Sequence, residues 1–152
     1  MKWKLHSAAL VAAINLALTS SVLAMPTGGV VASGSVTGID NGTVASGGTI
    51  ATAGGPAVIN WGAFSLLNGE RLNVNTVDGA LLNRVTGTQL SELRGILTQT
   101  GAHPMLLINP NGIIVGGTAS IDAQSLILST LSMTNDAFKA SNVASNNGAV
   151  FT

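Results

Sequence analysis

From residue 25 onward, β-forming runs of three to five residues alternate with corners of one to four residues rich in Gly, Asn and Asp. Runs this short do not suit a sandwich, whose strands are longer. They suit a solenoid, a parallel β-helix in which each coil rests on the one before it. Val30-Val31-Ala32, Ser35-Val36-Thr37, Thr43-Val44-Ala45 and Thr49-Ile50-Ala51 are the first such runs, each bounded by turn residues. Ala57–Trp61, Phe64–Leu67, Arg71–Asn75 and Ala80–Asn83 follow, then Met105–Ile108, Ile113–Val115, Ala119–Asp122 and Ser125–Ser129. Leu72 and Val74 alternate strictly with polar residues and are expected to face inward. Leu90, Leu93, Ile96 and Leu97 have helical spacing, so Thr88–Leu97 is read as one short helical turn. From Phe138 onward the β-pattern is expected to continue. At about 20–29 residues per coil, the 128 residues after position 24 make about five coils.

Residues 1–24 read differently. Lys2 and Lys4 precede an apolar run of 11 residues, Ala8–Leu18, interrupted only by Asn15, and Val22-Leu23-Ala24 ends on a small residue. A membrane anchor needs roughly 20 apolar residues, so this run is too short, and the pattern is that of a signal peptide cleaved after Ala24. Cleavage leaves four Lys/Arg against six Asp/Glu. That balance lacks the basic face a nucleic-acid binder needs. The 152 residues hold no Cys, which removes disulfides, thiolate metal sites and a thiol nucleophile. With 46% apolar and 8% charged residues, the chain also lacks the composition of a disordered one. The only His after the leader is His103, expected in an exposed loop, and the acids Asp40, Glu70, Asp78, Glu92, Asp122 and Asp136 are scattered beside turn residues. No catalytic set, metal site or cofactor site is expected, and the chain is read as a non-enzyme. Asn41-Gly42-Thr43 matches a glycosylation sequon, although chance is the simpler reading in a Thr-rich chain.

The most informative stretch is Asn109-Pro110-Asn111-Gly112-Ile113. Pro pre-sets the second turn position, Asn and Gly tolerate left-handed dihedrals, and the leading Asn is placed to cap the turn. Asn at a solenoid corner is also able to bond along the stack, as amides do in cross-β ladders.

Four pieces occur in order: Ile59-Asn60-Trp61-Gly62-Ala63-Phe64-Ser65, Leu82-Asn83-Arg84-Val85-Thr86-Gly87, Ser91 to Leu97, and Leu107-Ile108-Asn109-Pro110-Asn111-Gly112-Ile113. In order and spacing they resemble the amino-terminal two-partner-secretion domain of filamentous-haemagglutinin-type exoproteins, nearest the branch of high-molecular-weight adhesins and haem-utilisation exoproteins. The resemblance covers about Gly29 to Leu131. It implies an all-β fold, a right-handed parallel β-helix with capping strands at the amino end. It implies export through the Sec translocon, recognition by the POTRA domains and barrel of a TpsB-type outer-membrane transporter, and folding at the surface of a Gram-negative cell. It assigns the secretion motif to Asn109, Pro110, Asn111, Gly112 and Ile113, and makes Asn83 and Arg84 candidate partner contacts; a salt bridge from Arg84 to a corner acid is the structural alternative. Such exoproteins are longer, so residues 25–152 are expected to be a truncated product or the first piece of an adhesin whose receptor-binding modules lie beyond Thr152. The alternative function is a structural β-solenoid adhesin fragment that works without a dedicated transporter.

Overall fold

The computed structural model describes residues 25–141. The signal segment and its cleavage point after Ala24 lie outside the described residues, as does the stretch after Ser141. In chain order the strands are β1 (Val30–Ser33), β2 (Val36–Thr37), β3 (Thr49–Thr52), β4 (Ala57–Trp61), β5 (Arg71–Asn75) and β6 (Leu81–Val85). They continue with β7 (Ser91–Leu93), β8 (Ile96–Thr100), β9 (Met105–Ile108), β10 (Ile113–Val115), β11 (Ser120–Ala123) and β12 (Leu126–Ser129), and one helix follows, α1 (Asn135–Ala140).

These strands stack into a β-solenoid of about three turns. Its first wall is β4-β6-β9-β12, all parallel, with Ala57 over Leu81 over Met105 at a 24-residue period. A second parallel wall is β3-β5-β8-β11, and β7 with β10 forms a third, extended by a single bridge from Leu66 to Leu93. At the amino end the direction reverses. β1 runs antiparallel to β4, with a bulge between Val31 and Ser33, and β2 runs antiparallel to β3. These are the capping strands that the family resemblance implies.

The interior follows from alternation. Ile59, Trp61, Leu81, Val85, Met105 and Leu107 point in from the first wall and meet Ile50, Leu72, Val74 and Leu97 from the second. Leu72 and Val74 are buried as expected. Trp61 and Phe64 meet edge to face with centroids 5.8 Å apart, the geometry aromatic quadrupoles favour. Gly29 lets the cap close over this pair, because a Cβ there would lie 2.4 Å from the Trp61 ring. The first wall is apolar on its outer side too: Val58, Leu82, Leu106 and Ile108 form a second buried cluster under Phe138 of α1. The runs Ala57–Trp61 and Met105–Ile108 are nearly continuous in apolar residues because both faces are covered. In β5 the polar residues Arg71, Asn73 and Asn75 alternate with the buried Leu72 and Val74.

Several expectations need correction. Thr88–Leu97 holds no helical turn; β7 and β8 meet there at a corner centred on Arg94-Gly95. The β-pattern does not continue through Phe138, since 135–140 is helical with Thr134 as its amino cap. Thr43–Ala45 is not a strand. Asp40 and Thr43 exchange two backbone bonds, at 2.9 and 2.8 Å, across Asn41-Gly42, with Asn41 at φ +46, a hairpin turn that suits Asn-Gly. Phe64–Leu67 supplies one bridge rather than a strand. About five coils become about three, because the cap uses the residues before β3 and α1 leaves the coil to lie on its outside.

Candidate functional site

The Asn109–Ile113 corner joins β9 to β10. Its turn closes by the Gly112 amide donating to the Asn109 carbonyl at 3.0 Å, with Gly112 at φ +121. Asn109 is fully buried. Its Oδ1 accepts from the Asn111 backbone amide at 3.0 Å, the cap expected of a leading Asn, and from Asn111 Nδ2 at 2.9 Å. Its Nδ2 donates back to the preceding coil, to the Gln89 carbonyl at 3.0 Å and Ser91 Oγ at 2.9 Å. Asn111 is exposed, yet its Nδ2 reaches the Gly87 carbonyl at 2.8 Å. The Ser91 amide returns a bond to the Gly112 carbonyl at 2.9 Å, and the Asn109 amide donates to Ser129 of the following coil at 3.0 Å. Pro110 is exposed at the tip, while Ile113 is half-buried and packs on the core. The five residues therefore form one unit whose polar groups are held by the coil beneath. Gly87, Gln89 and Ser91 hold them; Gly87 and Ser91 stand in the motif pieces of the sequence, but sequence reasoning assigned none of the three to this corner. The 24-residue step from Gly87 to Asn111 is the signal that finds the first of them.

Asn83 and Arg84 lie apart from this corner, in β6. Asn83 points inward and is fully buried; its Oδ1 accepts from Trp61 Nε1 at 2.9 Å and its Nδ2 donates to the Leu106 carbonyl at 3.3 Å. Arg84 points outward and is half-buried. It donates to Asn60 Oδ1 from Nε at 2.9 Å and Nη2 at 2.7 Å, to Asn135 Oδ1 at 2.9 Å and to the Met133 carbonyl at 2.8 Å. Its partners are amide and carbonyl oxygens rather than a corner acid.

Other charged residues make local contacts. Glu70 accepts from the Leu67 amide at 2.7 Å, and Glu92 pairs with Arg94 at 2.7 Å on the surface. Among the described residues no group of three or more His, Cys, Asp or Glu side chains converges to hold a metal. His103 is half-buried rather than exposed. Its Nδ1 is enclosed without a partner, while its carbonyl accepts from Thr76 Oγ1 at 2.5 Å and Gln99 Nε2 at 3.0 Å. Among the described residues no helix is long and apolar enough to cross a membrane.

A comparison with curated proteins found no match. A comparison with family models matched the TPS secretion domain over residues 21–151. That span takes in the amino cap, all the described coils and the Asn109–Ile113 corner, and the chain belongs to the TPS secretion domain family, the secretion domains of two-partner-secretion exoproteins that leave Gram-negative bacteria through the outer membrane.

Proposed function

We propose that this domain is the address that a TpsB-type transporter reads on a filamentous-haemagglutinin-like adhesin, and the nucleus on which the exoprotein folds at the cell surface. The leader through Ala24 takes the chain across the inner membrane by the Sec route. The extended chain then meets the periplasmic POTRA domains, where its short β-runs add to a sheet edge and side-chain pockets supply specificity. Receptor binding belongs to modules beyond this domain.

The observation that carries the reading is the double use open to Asn109 and Asn111. In the folded coil their amides are committed to Gly87, Gln89 and Ser91 of the coil below. In the extended chain the same amides have no such partners and are available to the transporter. Recognition and folding thus compete for one set of groups, and folding outside withdraws them from the pore. Asn83 and Arg84, engaged inside the folded domain, reach a transporter only while the chain is extended. Periplasm offers no ATP, so the free energy of coil formation at the surface biases the passage outward.

The test is co-expression with a candidate transporter. Wild-type chain is released only with the transporter present, and Asn111→Ala, which spares the buried amide of Asn109, accumulates in the periplasm. Release of the wild type without any transporter favours the plain structural solenoid instead and overturns this reading.

A further inference from the structure

The outer side of the first wall is covered by a strap, residues 133–140, and the site that receives it does not exist until the solenoid is assembled. Phe138 is fully buried against Val58 of β4, Leu82 of β6, and Leu106 and Ile108 of β9. Three successive coils therefore supply one seat. Arg84 fixes the strap above it through Met133 and Asn135 while holding Asn60 of the coil below. Asn135 Nδ2 also reaches the Ala32 carbonyl in the amino cap at 3.4 Å, across 103 positions of sequence. By itself the strap has little reason to be ordered: α1 has six residues, well below the length at which an isolated helix holds in water. Its order comes from a seat built by the cap and every coil from β4 to β9. Contacts of such long sequence separation form after the local rungs have closed the intervening chain.

We propose that residues 133–140 are a completion clasp: they dock last, only on a finished coil, and act by slowing unfolding rather than by speeding folding. The clasp is a property of the domain itself. Its consequence for export rests on the transporter reading above, in which a clasped coil no longer loosens back into a threadable chain.

The experiment is stopped-flow refolding and unfolding of the full chain in urea, without transporter, so that its result is independent of that reading. Phe138→Ala empties the seat. It should raise the unfolding rate by roughly a hundredfold to a few thousandfold, in line with the usual cost of deleting a buried Phe, and leave the refolding rate within about twofold, as for a position unformed in the transition state. Asn135→Ala removes the bonds to Arg84 and Ala32 with little change in packing, and should raise the unfolding rate by roughly fivefold with refolding again unchanged. Where Phe138→Ala does not fold, Asn135→Ala decides on the same two rates. Slower refolding that accounts for the whole loss of stability places the strap early and overturns the proposal; so does an unfolding rate equal to wild type.

Discussion

Replacing Asn109 by Ala separates the structural work of the corner from its recognition. Four hydrogen bonds pass through this side chain: two donated to Gln89 and Ser91, two accepted from Asn111. A hydrogen bond contributes about 1 kcal/mol net, and a buried group left unpaired costs about 1–3 kcal/mol. The two bonds from Asn111 come from an exposed residue whose donors regain water when released. The two into the preceding coil involve the buried Ser91 and the fully buried amide itself. The loss is then about 2–3 kcal/mol rather than the sum over four bonds. Asn111→Ala removes an exposed amide and leaves the Asn109 cap on the Asn111 backbone intact, so it costs about 0.5–1 kcal/mol. With a urea dependence of about 1.5 kcal/mol per molar, the midpoint falls by roughly 1–2 M for Asn109→Ala and by less than about 0.7 M for Asn111→Ala. Far-UV circular dichroism against urea measures both. Equal midpoints, or a larger loss at Asn111, would refute the view that the buried amide carries the corner.

Other outcomes follow from the same contacts. Asn83→Leu leaves the buried Trp61 Nε1 without its acceptor and removes the side-chain bond to the Leu106 carbonyl and should cost about 1–3 kcal/mol; in a Trp61→Phe background the cost should shrink, because the indole donor has gone, and a double-mutant cycle by urea unfolding measures the difference. Gly79→Ala places a Cβ 2.3 Å from the Gly55 carbonyl carbon and should destabilise by about 3 kcal/mol or more. Gly117→Ala meets nothing within 4 Å and should be neutral or stabilise by up to about 1 kcal/mol, both read from thermal midpoints. Ile113→Asp puts a charge against the core where Ile113 packs and should slow transporter-dependent release even though the turn residues are unchanged; normal export kinetics in a pulse-chase would show that coil stability does not drive passage.

Much of the coil was legible because its rungs obey simple rules. Arg71–Asn75 alternates, and its Leu72 and Val74 are inside. Asn109-Pro110-Asn111-Gly112 contains its own turn, so local chemistry sufficed. The error at Thr88–Leu97 has a geometric cause. Ser91, Leu93, Gly95, Leu97 and Gln99 are all buried, so the period-two alternation runs unbroken through the corner; because Gly95 has no side chain, Leu93 and Leu97 stand four apart in the apolar pattern, and that spacing imitates a helix. Gly95 is needed there because a Cβ would lie 2.5 Å from the carbonyls of Leu67 and Glu70. The helix was missed, although Thr134 at the cap, Asp136 in the first turn and Lys139 in the last are local signals for one. Its position on the outer wall had no local signal at all, because Arg84 and Phe138 meet partners dozens of residues away. The doubly apolar runs of β4 and β9 nonetheless imply an outer cover. The interior place of Asn83 was hidden because it depends on Trp61 lying one coil below.

The bulge in β1 bears on how these molecules meet one another. A head-to-tail filament needs both ends of the solenoid to accept a foreign strand. At the amino end the outermost rung is four residues long, runs against the others and is kinked between Val31 and Ser33, the features by which sheet edges are made poor templates. Concentrated protein is therefore denied endless fibres from that side, whatever the opposite end encounters.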